Sequence, residues 1–278
     1  SLEKEGKMGH EITGRYTEVL NTRAYYDICG EGIPLICIHM GWACSLQWYK
    51  FMPIMADAGF KVIAPDLPGH AKSMPVNWEP FRKMSEYAEW VWEFISIVCP
   101  GEKPVVCGSG IGGDMTLNIA CNHPTDILAG MAFEAAANTG SISFLSGYND
   151  PHSFPGFAAL VDNASTSAMY YPCDEEIVLE SKWQHRCTYQ ETCVADMDAW
   201  NDHDVREDLK NIRSPIFLFK GEADYHISEK AVQETIKMIP DGLAEGGIAE
   251  GMGHLIMMEQ PEKLASACLK FLKNRSIV

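Results

Sequence analysis

The chain has 278 residues, 46% of them hydrophobic, so it can bury a large core in one α/β domain with an insertion, or in two domains at most. Its formal net charge of −16 would repel polyanions, which argues against nucleic acid and against an anionic membrane surface as partners. No apolar run approaches the length needed to span a bilayer.

Short apolar runs alternate with helix-compatible segments along most of the chain. An antiparallel pair of strands comes first, joined at Asn21 and Thr22, and buried strands and helices then follow one another. Strands are predicted over residues 15–20, 23–29, 34–39, 61–66, 104–107, 127–133, 214–220 and 246–250, and helices over 46–58, 84–98, 116–122, 229–238 and 261–272. Because buried strands that alternate with helices form parallel sheets, this order predicts a doubly wound, mostly parallel sheet of the α/β class.

The stretch from Pro104 to Met115 combines an apolar run, a cluster of glycines and a helix-compatible segment. A strand, a sharp turn and a helix, with small residues around one central position, form the pattern of a nucleophile elbow. In that pattern a glycine lies two residues before the nucleophile and another two residues after it. Gly108 and Gly112 fit these places, so the nucleophile position falls on Gly110, which has no side chain.

Two other interpretations of this turn stay open but are less favoured. A glycine-rich turn between a strand and a helix can hold a phosphate, yet this turn lies about a hundred residues into the chain, and no ribose-binding acid follows at the usual distance. A register with Ser109 as the nucleophile would place Ile111 where a backbone normally passes close to the turn.

Between residues 138 and 204 the regular alternation of strands and helices stops. Glycine, proline, serine and aromatic residues mix without a clear period, and helical pieces are predicted only over 157–161, 174–183 and 189–200. Since structureless loops of this length are rare in compact domains, we expect a mostly helical cap over 138–204, inserted into a core formed by 1–137 and 205–278. Several polar side chains of this cap are expected at its surface: His152, His185, His203, Asp196 and Asp198.

Functional residues in a parallel sheet gather at the carboxyl ends of its strands. His39, Asp66, Gly110 and Glu134 each lie at or just past the end of a predicted strand. Asp224 follows another strand by a few residues. Their positions alone therefore indicate one site at that edge of the sheet.

Four further segments resemble motifs of the α/β-hydrolase-fold superfamily, and with the elbow they are distributed over nearly the whole length of the chain apart from the cap. They are 38–42 (Ile-His-Met-Gly-Trp), similar to the oxyanion loop; 66–73 (Asp-Leu-Pro-Gly-His-Ala-Lys-Ser), similar to the turn that follows a core strand; 221–224, similar to the loop of the triad acid; and 251–254, similar to the loop of the triad histidine. Met40 and Ala71 stand where the family usually has glycine. The resemblance implies an α/β-hydrolase fold, the order nucleophile, acid, histidine, and neither a metal nor an organic cofactor.

The resemblance also implies a role for each residue of the site, and side-chain chemistry agrees with it. His254 would be the general base, because a neutral imidazole titrates near the working pH. Asp224 would accept the other N–H of that imidazole and fix its tautomer, with Glu134 as the alternative acid. The backbone N–H groups of Gly41 and Ile111 would hold the developing oxyanion.

Gly110 leaves three explanations open. In the first, the natural nucleophile is a serine and this chain is an inactivated form, which the presence of both acid and base favours; an aspartate at that position, as in epoxide hydrolases, is a variant of this explanation. In the second, the protein naturally lacks covalent catalysis, and His254 with Asp224 activates water or a substrate hydroxyl. In the third, the chain is a binding protein or receptor on a hydrolase scaffold.

The expected activity is hydrolysis of an ester, a lactone or a C–C bond beside a carbonyl in a small, partly apolar molecule. Large side chains of the oxyanion loop and the cap are candidates to line its pocket: Trp42, Met169, Tyr170, Tyr171, Trp183 and Trp200. The ten cysteines occur singly, without a C-x-x-C pair, and the first residues are charged, so we expect a cytoplasmic protein with reduced thiols. The oligomeric state stays open.

Overall fold

The computed structural model describes residues 10–140 and 166–278. The strands in these residues are β1 (Thr13–Val19), β2 (Thr22–Cys29), β3 (Ile33–Ile38), β4 (Phe60–Pro65), β5 (Val105–Ser109), β6 (Ala129–Phe133), β7 (Ile216–Gly221) and β8 (Ala244–Ala249). They form one eight-stranded sheet in the order β1-β2-β4-β3-β5-β6-β7-β8. The pairs β1–β2 and β2–β4 are antiparallel, whereas every pair from β4 through β3 to β8 is parallel. The prediction of a doubly wound, mostly parallel sheet of the α/β class is confirmed.

Helices cover both faces of the sheet, because its central strands are apolar on both sides. The helices are α1 (Phe51–Asp57), α2 (Met84–Val98), α3 (Ile111–Asn122), α4 (Glu175–Arg186), α5 (Gln190–Asp202), α6 (Glu229–Met238), α7 (Ile256–Glu259) and α8 (Pro261–Asn274). In β3, Ile36 and Ile38 pack into the cluster that contains side chains of α2, α3 and α6, whereas Leu35 and Cys37 pack into the cluster that contains side chains of α1 and α8. No helix in residues 10–140 and 166–278 is both long enough and apolar enough to cross a membrane.

The single helix predicted over residues 46–58 is wrong in its first half. A 3₁₀ turn (Ser45–Trp48) comes first, and α1 begins only at Phe51. Pro53, in the first turn of α1, has no N–H to donate to Tyr49, so α-helical hydrogen bonding cannot continue back across the junction.

In the region expected to form the cap, the described residues contain α4 and α5. The predicted helical piece 157–161 and His152 lie outside the described residues. The expectation that His185, His203 and Asp196 lie at the surface is wrong, because all three are buried against the core. Asp198, in contrast, keeps 41% of its side chain exposed beside Arg82.

These three polar side chains are buried because each finds a partner in the oxyanion loop or the core. The ring of His185 lies edge-on to Trp42 at 6.4 Å between centroids. His203 Nε2 donates to the carbonyl of Ala136 at 3.1 Å. Asp196 Oδ2 lies 2.9 Å from His70 Nε2. Each of these partners lies far away along the chain.

Candidate active site

Gly110 occupies the sharp turn between β5 and α3, with φ 57° and ψ −126°. Glycine accepts such a conformation more readily than any other residue. The two flanking glycines are required by close approach of the backbone: a Cβ on Gly108 would lie 2.1 Å from the carbonyl oxygen of Gly112, and a Cβ on Gly112 would lie 2.4 Å from that of Ile38. Ser109, the other candidate position, is the fully buried last residue of β5. The turn therefore has the geometry of an elbow centred on Gly110.

Three positions from distant parts of the chain meet beside this turn. A Cβ built on Gly110 would lie 3.8 Å from Nε2 of His254. On the other side of the imidazole, His254 Nδ1 lies 3.1 Å from Oδ2 of Asp224, and both side chains are buried. The loop that carries His254 is fixed by its backbone N–H, which donates to the carbonyl of Ala168 at 2.8 Å. The imidazole thus faces the empty position with one nitrogen and a carboxylate with the other.

Asp224 follows β7 and is held by the backbone around it. Its Oδ1 accepts from the N–H of His226 at 2.7 Å, and its carbonyl oxygen accepts from Lys220 Nζ. Burial would raise the pKa of Asp224, but attraction by His254 and hydrogen bonds with His254 and Glu134 outweigh burial and lower that pKa. Asp224 is therefore the carboxyl group that carries the negative charge.

Glu134 directly follows β6 with a positive φ of 50°, and its side chain points into the same cluster. Its Oε1 accepts from the N–H of Gly221 at 2.6 Å. Burial, together with repulsion by Asp224 and a hydrogen bond with it, raises the pKa of Glu134 well above its usual range, against the opposing effects of the Gly221 amide and Lys220. Glu134 is thus the protonated member of the acid pair.

The same cluster has the donor set of a small cation site. One ligand atom each from Glu134, Asp224 and His254 lies within 4.8 Å of the others. However, Nδ1 of His254 already faces Asp224 at 3.1 Å, so an ion bound there would have to disrupt the pair of base and acid.

Of the two backbone donors expected at the oxyanion, Gly41 lies in the oxyanion loop and Ile111 is the first residue of α3. The amides on either side of Gly41 are already engaged. The N–H of Met40 donates to Gln47 Oε1 at 3.0 Å, and that of Trp42 donates to Asp196 Oδ2 at 3.0 Å. Within the described part of the chain, the N–H groups of Gly41 and Ile111 donate no hydrogen bond. No described residue therefore takes up these two N–H groups.

The six residues expected to line a pocket differ in their exposure. Trp42, Met169 and Trp200 are buried, whereas Tyr170 (39%), Tyr171 (56%) and Trp183 (58%) are exposed. Trp42 donates from Nε1 to the carbonyl of Cys193 at 2.7 Å, which joins the oxyanion loop to α5.

The ring of His226 lies between Trp200 and the loop that carries His254. Its centroid lies 6.2 Å from that of Trp200 and 5.0 Å from that of His254. We did not expect His226 at this site from the sequence, although it stands only two residues after Asp224. His70, in the segment 66–73, was missed in the same way, although it lies at the carboxyl edge of the sheet next to β4.

Comparison with known proteins gives the same fold, among relatives that are named as hydrolases. The family model described as "Alpha/beta hydrolase family" matches residues 35–267. The carboxylesterase YbfK of Bacillus subtilis (strain 168) is 23% identical over 249 residues, which cover 86% of this chain and 79% of that protein. The soluble epoxide hydrolase of Corynebacterium sp. (strain C12) is 26% identical over 300 residues, which cover 95% of this chain and 98% of that protein.

A solved structure shows how closely the fold is shared. The enol-lactonase from Burkholderia xenovorans LB400 superposes with a TM-score of 0.84 at 18% sequence identity. The match covers 93% of this chain and all of that one (100%). At this level of identity the likeness establishes the fold.

Proposed function

This chain belongs to the α/β hydrolase family, and on that premise we propose that its site hydrolyses a carbonyl-centred bond in a small, partly apolar molecule. We propose a Ser-His-Asp type of arrangement in which Gly110 stands in the place of the nucleophile. Relatives named a carboxylesterase and an enol-lactonase lead us to put an ester or a lactone before a C–C bond as the substrate.

The observation that supports this function best is the 3.8 Å between Nε2 of His254 and a Cβ built on Gly110. A serine oxygen, one bond beyond that Cβ, would come within hydrogen-bond reach of Nε2, which is the geometry of an activated nucleophile. Asp224 lies behind the imidazole and would fix its tautomer. An elbow that only connected a strand to a helix would have no need of this alignment.

With serine at position 110, the reaction follows from these positions. The Oγ–H proton moves to Nε2 of His254 while Oγ bonds to the carbonyl carbon, and the carbonyl oxygen becomes an oxyanion. The N–H groups of Gly41 and Ile111 donate to that oxyanion. The C–O bond to the leaving group then breaks, and the leaving oxygen takes the proton from His254. Water, deprotonated by the same histidine, attacks the acyl carbon, and its proton returns to Oγ as the acid departs.

We assign the working negative charge to Asp224 and a supporting role to Glu134. Asp224 stabilises the imidazolium that forms when His254 takes the proton. A protonated Glu134 leaves a single negative charge in the cluster, on Asp224, which matches the single positive charge of the imidazolium. A second buried carboxylate would instead repel the first.

A second candidate mechanism has its own supporting observation. A Cβ on Gly110 would lie only 3.1 Å from the Cβ of Met40, the residue that stands where the family usually has glycine. The side chain of Met40 therefore occupies space that the Cβ of a nucleophile at position 110 would need. We call the pair of Met40 and Gly110 a compensated exchange, because the larger residue at position 40 is matched by the smaller one at position 110. In that case His254 would remove a proton from water, the resulting hydroxide would attack the carbonyl carbon, and no covalent intermediate would form.

Turnover separates the two mechanisms. We expect the parent chain to release no product from an activated aryl ester, and Gly110→Ser to release it, with the gain lost on His254→Ala. Turnover by the parent chain that is lost on His254→Ala would favour the water mechanism. Gly110→Asp tests the aspartate variant on an epoxide, since a relative is named an epoxide hydrolase. Tight binding of a ligand, without turnover by the parent chain or by any of these variants, would favour the hypothesis that the chain is a binding protein or receptor.

A complex of the parent chain with an unreacted ester tests the oxyanion donors. We expect its carbonyl oxygen about 2.7–3.1 Å from the nitrogens of both Gly41 and Ile111, the range of an oxyanion hole. A carbonyl oxygen that contacts neither amide would remove these two residues from the proposal.

The setting of the enzyme is part of the same proposal. None of the ten cysteines forms a disulfide, and eight of them are buried. Reduced core thiols of this kind are typical of a cytoplasmic protein. We also keep residues 138–204 as the cap that selects the substrate, with Trp42 and Trp200 as buried candidates to contact it.

A further inference from the structure

A second buried histidine–aspartate pair lies where helix α5 of the cap region meets the core. Asp196 is carried by α5, and His70 lies in the loop that follows β4. Oδ2 of Asp196 lies 2.9 Å from Nε2 of His70, and both side chains are fully buried. This pair is separate from His254 and Asp224, and the catalytic steps above do not use it.

The contacts of His70 determine its protonation state. Nδ1 lies 3.1 Å from the carbonyl oxygen of Pro68, and Nε2 lies 2.9 Å from the carboxylate of Asp196. Both partners can only accept hydrogen bonds, so both nitrogens must carry a proton and the ring is an imidazolium. Burial alone would lower the pKa of His70, but attraction by Asp196 and hydrogen bonds to Asp196 and Pro68 outweigh burial and raise it.

The neighbouring His39 has the opposite state. Its Nδ1 lies 2.7 Å from the carbonyl oxygen of Met40, to which it donates, and its Nε2 accepts from the N–H of Leu67 at 3.0 Å. Burial, and then repulsion by His70 at 4.8 Å between ring centroids, lower the pKa of His39 well below its usual range. The site therefore contains one neutral and one charged imidazole, and the charged one faces Asp196.

Asp196 connects this charge to the oxyanion loop. Its Oδ2 also accepts from the backbone N–H of Trp42 at 3.0 Å, and its Oδ1 accepts from Tyr87 Oη at 2.8 Å. A Cβ on Gly41 would lie 3.5 Å from the same Oδ2. The carboxylate thus holds the amide that follows Gly41, and it lies close beside the donor expected to bind the oxyanion.

A bare carboxylate in this place would repel an oxyanion at the neighbouring amide, because charges interact strongly in a buried site. The imidazolium of His70 neutralises it. We propose that Asp196 is a positioning residue that acts as the carboxylate partner of a protonated His70, holds the oxyanion loop through the amide of Trp42, and so aims the N–H of Gly41 at the substrate. Its effect on rate rests on the proposed hydrolase function, whereas the ion pair itself does not.

Other titratable groups around His70 leave this pairing intact. Tyr87, from α2, lies edge-on to the ring at 6.4 Å, and burial followed by the charge of Asp196 raises its pKa well above the usual range, so its hydroxyl stays protonated. Asp66, from the strand end before His70, accepts from the N–H groups of Ser45 and Lys72 at 2.8 and 3.0 Å. The acid of α5 is thus the one that His70 contacts.

The first test measures the charge of His70 directly and needs no turnover. Side-chain ¹⁵N NMR of the full-length parent chain reports the protonation of each histidine as the pH is raised. We expect both ring nitrogens of His70 to stay protonated above pH 6.5, which is the ordinary pKa of a histidine. We expect Asp196→Asn to let it lose the proton at a lower pH, while Asp198→Asn, two residues along the same helix and exposed, leaves it unchanged. A neutral His70 at pH 6.5 in the parent chain would overturn the ion pair.

The second test measures positioning in a Gly110→Ser background. Adding Asp196→Asn should lower kcat about 10- to 100-fold with little change in KM, because small displacements of a catalytic group have effects of this size. Adding Tyr87→Phe, which keeps both charges, should have a smaller effect, and adding Asp198→Asn none. Equal losses for Asp196→Asn and Asp198→Asn would overturn the positioning role. Urea midpoints measured alongside show whether each variant is folded. If Asp196→Asn is unfolded, the test uses Tyr87→Phe instead. A kcat of the Tyr87→Phe variant equal to that of the Asp198→Asn control would then overturn the positioning role.

The two tests also separate this inference from the hydrolase function. A protonated His70 in a Gly110→Ser protein that hydrolyses no ester would leave the ion pair standing and remove the proposed serine mechanism. An active Gly110→Ser enzyme with a neutral His70 would support the serine mechanism and overturn the ion pair.

Discussion

Replacing Gly110 by serine should cost stability through a contact with Met40 as well as through the backbone. A Cβ at position 110 would lie 3.1 Å from the Cβ of Met40, and the φ of 57° disfavours any side chain. We expect a loss of about 1–3 kcal/mol in the free energy of unfolding from the backbone, and about 1 kcal/mol more from crowding. Gly101→Ser is the control for strain, because that exposed glycine has φ 75° and nothing within 4 Å of an added Cβ.

Two double-mutant cycles isolate the crowding. Met40→Gly removes the crowding carbon, whereas Met40→Ala keeps it and still shortens the side chain. Urea unfolding of the parent chain, the single variants and the two double variants gives the coupling energy of each cycle. We expect Gly110→Ser to couple favourably with Met40→Gly by about 1 kcal/mol, and to add to Met40→Ala within about 0.5 kcal/mol. Equal coupling in both cycles, or additivity in both, would refute the view that positions 40 and 110 are a compensated exchange.

The remaining expectations concern the two buried acids and the buried histidine that follows α5. In a Gly110→Ser enzyme, Asp224→Asn should lower kcat about 10⁴-fold, because an amide favours the wrong tautomer of the base. Glu134→Gln imitates a protonated acid and should change kcat less than about tenfold in the same steady-state assay; the opposite order would make Glu134 the working acid. Burial lowers the pKa of His203 from 6.5 to about 4, so between these values the unfolded chain binds a proton that the folded protein does not. The free energy of unfolding should therefore fall by about 3 kcal/mol as the pH drops through this window. Urea titrations of His203→Gln should show a free energy of unfolding that depends less on pH between these values. An unchanged dependence on pH would contradict the assignment of a low pKa to His203.

The sheet could be predicted from the sequence because its signals are local. The buried strand before Gly110 is a continuous apolar run, and the spacing of Gly108 and Gly112 follows from the close approach of a helix to a strand. His254 and Asp224 could be placed because each lies in a loop just after a strand, and such loops meet at one edge of a parallel sheet. Their catalytic roles, and those of Gly41 and Ile111, stay predictions.

The cap region could not be predicted in the same way, because its burial depends on partners far along the chain. Asp196 was expected at the surface, yet it pairs with His70, 126 positions away. One signal was available: at helical spacing, Asp196 shares a face of α5 with two small residues, Thr192 and Ala199. A charged residue on such a face of small residues is a reason to look for a buried partner.

Whether residue 110 is the nucleophile position is tested most directly by covalent mass. Gly110→Ser is mixed with an activated aryl ester, quenched within the first turnover and analysed by intact-protein mass spectrometry and peptide mapping. We predict one added acyl group on the serine at position 110, a matching burst of released phenol, and neither of them in the parent chain or after His254→Ala. A folded Gly110→Ser protein that shows no burst and no acyl group on that serine, or that carries the group at another residue, would contradict the alignment of the elbow with His254 and Asp224.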